Sequence, residues 1–255
     1  MSARQERRDR IASRAVQVAF VLGVLLLWYL ATAYWGISKI LLPNPVNGWN
    51  ELKGILASGE FWPDLRVTLT EVAVAFVLSC TSGVTVGFLI SRSPYLIKVF
   101  EPLLAGFYSV PIILFLPLYV LFFGLGPGSK IALGTTISFF PIVLNTIAGF
   151  GYVDKIFVTA ARSMGASNVQ MFWHVLLPAA FPVILTGLRI GFTVTLLSIL
   201  GSETIASLAG LGHRIVELAE GMETARMFAY IAFAVAIAAL LNSTVSALER
   251  RGKRP

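Results

Sequence analysis

The sequence predicts an all-α membrane protein with about six transmembrane helices, and three observations carry that prediction. Hydrophobic residues make up 56% of the 255 residues and charged residues only 13%, about half the charged share of an ordinary soluble domain. The apolar residues gather in six stretches, each close to the roughly 20 helical residues that cross a hydrocarbon core. The basic residues sit beside these stretches with a side-to-side bias that an even number of crossings explains. A soluble fold is excluded, because so apolar a chain cannot cover its surface with polar groups.

The first span covers residues 16–34. Arg4, Arg7, Arg8, Arg10 and Arg14 precede it, and Trp28, Tyr34 and Trp35 crowd its far end as an interfacial aromatic belt does. Ala31-Thr32-Ala33 resembles a signal-peptide cleavage site, but the apolar stretch is longer than the roughly 7–15-residue core of such peptides. Residues 36–64 contain Pro43, Pro45, Gly48, Gly54 and Gly59. They read as an external connection with one short surface helix over 49–57. Span two, 67–90, carries Ser79, Gly83 and Gly87 at four-residue spacing, a small-residue stripe that lets another helix come close.

Span three, 99–123, contains Pro111 and Pro117. Prolines within a membrane helix free carbonyls that need partners in the protein or in a wet cavity, so this helix is either kinked or lines a pathway. The run Gly124-Leu125-Gly126-Pro127-Gly128-Ser129-Lys130 lacks the adjacent Gly-Lys followed by Ser or Thr of a phosphate loop, and reads as a tight turn. Span four covers 131–150. Span five covers 183–205, with Gly187 and Gly191 again at close-packing spacing. A loop with Glu217, Glu220 and Glu223 leads to span six, 228–248. The domain organisation is therefore a basic tail over 1–15, one transmembrane domain over 16–248, and a second basic tail over 249–255.

With the N-terminus inside, the inner segments hold Lys and Arg at 4, 7, 8, 10, 14, 92, 98, 155, 162, 250, 251, 253 and 254, which is 13. The outer segments hold 39, 53, 66, 130, 214 and 226, which is 6. Both termini are thus expected in the cytoplasm of a multi-pass inner-membrane protein. The basic tails abut apolar segments, so orientation explains them and nucleic-acid binding does not. Cys80 is the single cysteine and lies in an apolar run, and His174 and His213 stand apart without a ligand cluster. No metal site is indicated. No constellation of nucleophile and base marks an enzyme.

Residues 151–182, predicted to face the cytoplasm, are more elaborate than a turn requires. They read Thr159-Ala160-Ala161-Arg162-Ser163-Met164-Gly165, then nine residues, then Val175-Leu176-Leu177-Pro178. Ala160, Ala161, Met164 and Gly165 suit a short helix with a compact apolar face, which Gly165 ends. Pro178 and Pro182 mark the start of span five. Such a segment is expected to meet a soluble partner or to lie in the headgroup layer.

This loop resembles the signature of binding-protein-dependent ABC transporter permeases, Glu-Ala-Ala, three residues, Gly, nine residues, Ile-x-Leu-Pro. Ala160, Ala161, Gly165, Leu177 and Pro178 match, Val175 stands for Ile, and Thr159 replaces the usual Glu. Elsewhere Leu42-Pro43-Asn44-Pro45, Pro111, Pro117-Leu118, Phe123-Gly124, Lys130, Glu203-Thr204-Ile205 and Gly210-Leu211-Gly212 resemble the sulfonate, taurine and nitrate branch. A departure lies in span two, where that family often has Arg near Glu71 and Gly near Ala75.

The resemblance implies a type I ABC importer permease-like bundle that forms a pathway for a small anionic or organic solute, such as a sulfonate, taurine, nitrate or an aromatic acid. It implies a second permease copy, a periplasmic or lipid-anchored solute-binding protein, and a cytoplasmic ABC ATPase dimer that binds ATP and Mg, so this chain needs no cofactor of its own. Thr159, Ala160, Ala161, Arg162, Met164, Gly165, Ala166 and Pro178 would form the ATPase-docking loop. Pro111, Pro117, Arg189, Thr195, Ser198 and Glu203 are pathway or gate candidates. Arg189 is expected to hold the cytoplasmic gate or to form an interhelical ion pair, and Glu203 to anchor the outer end. Two alternatives stay open: a vitamin-precursor permease, and a secondary transporter that uses no ATP.

Overall fold

A computed structural model describes residues 3–34, 38 and 41–252. Trp35, Gly36, Lys39, Lys253 and Arg254 lie outside the described residues. Among the described residues eleven α-helices follow in order: α1 Ala3–Tyr34, α2 Pro45–Ser58, α3 Trp62–Ser91, α4 Pro94–Tyr108, α5 Leu116–Phe123, α6 Pro127–Gly151, α7 Lys155–Ser163, α8 Asn168–Met171, α9 Leu177–Ile205, α10 Leu211–Glu220 and α11 Thr224–Gly252. A 3-10 turn at Ile112–Phe115 precedes α5, and a π-helical turn at Phe172–Leu176 joins α8 to α9. Among the described residues there is no strand.

Five stretches are long and apolar enough to cross a membrane: Ala15–Tyr34, Trp62–Ser91, Pro127–Gly151, Asn168–Ile205 and Thr224–Ala247. A bent pair, Pro94–Tyr108 and Ile112–Phe123, meets at 72° and forms either a broken sixth span or a re-entrant loop. The stretch expected as one span over 99–123, kinked or lining a pathway, is thus two helices that begin at Pro94 and are interrupted at Ser109–Pro111. Pro111 lies at the break, with φ −73° and ψ 80°, and disfavours helical geometry in Val110 before it. Pro117 sits in the first turn of α5, where its missing N–H disrupts nothing. The prolines inside helices are instead Pro102, Pro141 and Pro182.

Span five also begins earlier than expected. The π turn puts the Leu177 N–H on the Phe172 carbonyl, so Pro178 falls in the first turn of α9 and the helical path is continuous from Asn168. Pro178 is therefore not the start of the span. Glu217 and Glu220 are on α10 rather than in a loop. Leu211, Ile215 and Leu218 recur there at helical spacing, a signal the acidic residues masked. The helices α1 and α11 run on into the basic segments that the sequence reading treats as tails.

The chain divides into two compact units. One comprises the residues up to Phe61 with Ile215–Phe233. In it Asn44 caps α2 by accepting the Val46 N–H at 2.9 Å, and the Trp28 indole donates to the Pro43 carbonyl at 3.0 Å. Two further features of that unit are the Arg226–Glu60 ion pair and the edge contact of Phe61 with Phe233 at 4.6 Å.

The other unit holds Trp62–Arg214 and the chain from Ala234. Here α6 packs against both α3 and α9. The glycine stripes make that approach possible: a Cβ at Gly83 would lie 2.8 Å from Ile142, and one at Gly191 2.6 Å from the same side chain. A core of Val72, Ala75, Phe192, Leu196 and Ile199 joins α3 to α9. This is the close packing that small-xxx-small spacing predicts.

Candidate functional site

Both ends of α9 carry unusual chemistry. At the loop end, α7 and α8 are two short helices that satisfy their own backbone ends. Asp154 accepts the Ile156 N–H at 2.9 Å and starts α7. Gly165, at φ +80°, turns the chain so that the Ala166 N–H reaches the Ala161 carbonyl at 3.0 Å. Ser167 and Gln170 then cap α8 reciprocally. None of these termini needs a partner protein for its hydrogen bonds.

The side chains are another matter. Ala161 is buried and anchors α7, while Thr159, Ala160, Arg162, Met164, Gly165 and Pro178 are exposed, and Ala166 is half-buried. Met164 is 81% exposed. Ile156, Phe157, Val169 and Trp173 also face outward, and the motif-based reading missed them. For Ile156 and Phe157 the signal was the apolar recurrence Ile156, Phe157, Ala160, Met164 along α7 and its cap. Beneath α7 lies a groove of about 580 Å³ lined by Phe88, Arg92, Phe150, Arg162, Phe172 and Trp173 among others. Phe88 packs edge-on against Phe150 and Phe172, with centroids 5.1 and 5.4 Å apart. Near the end of α6, the Tyr152 hydroxyl donates to Glu101 at 2.9 Å, which holds the phenol above its ordinary pKa.

At the far end the polar groups are inside. Glu203 is 1% exposed. One carboxylate oxygen accepts the Gly212 N–H at 2.8 Å, and the other accepts the Thr68 hydroxyl at 2.7 Å. Thr68 in turn accepts the Leu211 N–H at 3.0 Å. Glu203 thus ties α9, α3 and the start of α10 together, which accounts for the Glu-Thr-Ile and Gly-Leu-Gly segments occurring as a pair. Gly210 has φ +106°, and a Cβ there would land on the Glu203 carboxylate. Two more charged residues are buried beside it, Glu71 and Lys130. The sequence reading put Lys130 in the turn. It is instead inside α6, with its ammonium donating to the carbonyls of Leu125 and Gly126.

The pathway candidates do not converge on one place. Pro111 and Pro117 shape the bent pair. Arg189 pairs with Glu249 of α11 at 3.1 Å, the interhelical alternative of the sequence reading. Thr195 is fully buried and shares a 2.5 Å hydrogen bond with Ser138 of α6. Ser198 donates to the Val194 carbonyl at 2.6 Å.

Residues 65–254 match the family described as "Binding-protein-dependent transport system inner membrane component". The chain belongs to that family. The permease is 35% identical over 246 residues to the taurine transport system permease protein TauC of Escherichia coli (strain K12), covering 94% of this chain and 90% of that protein. It is 30% identical over 228 residues to the putative aliphatic sulfonates transport permease protein SsuC of Bacillus subtilis (strain 168), covering 89% and 83%. Its fold resembles that of the inward-facing MetNI methionine ABC transporter, with a TM-score of 0.62 at 20% identity over 78% of this chain and 97% of that one.

The permease is therefore the multi-pass inner-membrane component of a binding-protein-dependent ABC importer, with a type I importer bundle. Its role is transport, and the reading as an ATP-independent transporter is set aside. The loop signature and the Glu203 region, the two segments whose resemblance was most specific, occupy opposite ends of α9.

Proposed function

We propose that this chain forms, with a second copy of itself, the translocation pathway of an importer for a small sulfonate, with taurine as the first candidate. The names of its relatives support that substrate class. The observation that carries the mechanism is the loop from Lys155 to Met171. Its backbone is self-capped while Ile156, Phe157, Met164 and Val169 stand exposed beside it. Exposed apolar side chains on a rigid, polar-ended helix pair suit a protein partner. That partner is the cytoplasmic ATPase, which binds ATP and Mg. Thr159, in place of the usual acid, leaves this docking surface without a carboxylate at that position.

The orientation follows from the charges. With Lys130 buried in α6, the outer side keeps Lys and Arg at 39, 53, 66, 214 and 226, which is 5, against 13 inside. Both termini and the α7–α8 loop then face the cytoplasm, and the Glu203 end faces outward. Closure of the ATPase dimer pushes on α7, and the continuous helix from Asn168 to Ile205 carries the displacement across the membrane. An external binding protein, soluble or lipid-anchored, supplies the solute, and the bundle switches its access between two states.

Gly165→Asp tests this reading. It is expected to abolish co-purification of the ATPase or to uncouple hydrolysis from uptake, while the membrane bundle still inserts. Normal co-purification with normal uptake would remove the docking assignment. For the substrate, the reconstituted complex with its binding protein is expected to accumulate labelled taurine or a short alkanesulfonate. Accumulation of a thiamine precursor or nitrate, with no sulfonate uptake, would replace that substrate class.

A further inference from the structure

The geometry points to a proton-binding site at the Glu203 end, in which Glu71 is a carboxylic acid that shares one proton with Glu203 and so links α3 to α9. Glu71 and Thr68 are three residues apart and therefore lie on one face of α3. Glu71 is 1% exposed, and neither of its carboxyl oxygens finds a hydrogen-bond donor. Thr68, one turn before it on α3, donates to Glu203, which sets the two buried carboxyls in the same place. Glu203 has its own donors, the Thr68 hydroxyl and the Gly212 N–H, so it is the better-solvated of the two as an anion. An ionised Glu71 at this place would be a buried charge with no donor, facing a second buried charge of the same sign. Either condition alone is costly, and both together are not tolerated inside a packed bundle.

The charge count leads to the same place. Three ionisable side chains are buried together: Glu71 at 1%, Glu203 at 1% and Lys130 at 0% exposure. Fully ionised, they sum to one negative charge. A single proton on the carboxyl pair makes the cluster neutral. It also supplies the donor that Glu71 lacks, as an O–H directed to Glu203. Charged groups near the pair include Asp64 and Arg66, which lines a recess of about 220 Å³ with Val67, Thr70, Glu71 and Pro127. That recess brings an open surface up to the Glu71 side chain. The α10 segment contributes the Gly212 N–H.

The test is infrared spectroscopy on the full-length permease in lipid nanodiscs at neutral pH. Wild type is expected to show a protonated-carboxyl carbonyl band that shifts in heavy water, and Glu71→Gln to lose it. Glutamine reproduces the shape of the acid and donates from its amide, so Glu71→Gln is expected to keep the melting temperature of wild type, whereas Glu71→Ala lowers it. Lys130→Met removes the positive charge, and the cluster then needs a second proton, so the band is expected to grow about twofold. A wild-type spectrum without the band, or a Glu71→Gln protein that melts as early as Glu71→Ala or fails to fold, overturns the proposal. A Lys130→Met protein with the wild-type band intensity overturns the neutral count.

Discussion

The two ends of α9 solve opposite problems. The loop end buries almost nothing polar and leaves large apolar side chains outside, Met164 and Ile156 among them. The far end buries three ionisable side chains, with Glu203 held by one backbone N–H and one hydroxyl and Lys130 by two backbone carbonyls. An exposed apolar surface on a self-capped scaffold gains little from its own chain and waits for a partner. A buried charged cluster gives nothing to a partner and instead fixes helices that must not drift. Substitutions should therefore separate cleanly. Changes at the far end should cost folded protein, and changes at the loop end should cost uptake alone.

The largest effect is expected from Gly210→Val. A β-branched residue at φ +106° is strained by about 1–2 kcal/mol, and its Cβ occupies the space of the Glu203 carboxylate. Displaced, that carboxylate loses its donors in a buried setting. Detergent-solubilised protein should then elute as aggregate in size-exclusion chromatography. A monodisperse Gly210→Val permease would show that the far end is not the lock described. Phe157→Asp is expected to do the reverse. It places a charge on an exposed position of α7, so the melting temperature should hold while uptake falls at least about tenfold, equivalent to about 1.4 kcal/mol of lost docking. Loss of both together would merge the two ends into one structural role.

The sequence made some of this legible and hid the rest, for physical reasons. Hydropathy over 20-residue windows reports burial in lipid, so all six apolar stretches could be read directly. The stripes of Gly83, Gly87, Gly187 and Gly191 report close helix packing, and the structure places α6 against both. The α7–α8 loop was legible through its signature spacing, which the structure holds with two caps, Gly165 and the Ser167–Gln170 pair. What hydropathy cannot report is where a helix breaks. Pro111 and Pro117 were visible, but a proline at a break and one in a first turn leave the same mark in a sequence as two prolines inside a helix. Lys130 was also misplaced. A lysine beside a glycine-rich run looks like a turn residue, whereas it lies in the first turn of α6 and its ammonium folds back to the Leu125 and Gly126 carbonyls. The loop's exposed Phe157 and Trp173 were missed because the motif directs attention to its small residues.

Thr68→Ala sharpens the contrast with a smaller change. The hydroxyl donates to Glu203 and accepts from Leu211, so its removal takes one charge-assisted and one ordinary hydrogen bond from a buried network. About 2 kcal/mol is the expected loss. Thermal melting should register it, and Thr68→Ser, which keeps the hydroxyl, should restore most of it. Failure of serine to rescue would assign the effect to packing of the methyl group.

The smallest effect is expected from Arg189→Ala, and it decides what Arg189 is for. Its side chain is 45% exposed while Glu249 is 7% exposed, at 3.1 Å. Solvent screens the exposed arginine, and Glu249 keeps the Thr186 hydroxyl at 3.3 Å, so the carboxylate is not stranded. An ion pair of this kind contributes about 1 kcal/mol or less. If the pair only joins α9 to α11, Arg189→Ala should lower the melting temperature slightly and leave uptake within about twofold, a difference of about 0.4 kcal/mol. If Arg189 instead holds a gate, uptake should change well beyond that range with melting unaltered, and Glu249→Gln should reproduce the change. The half-exposed geometry and the position of Arg189 on the loop side of the packed core favour the first outcome.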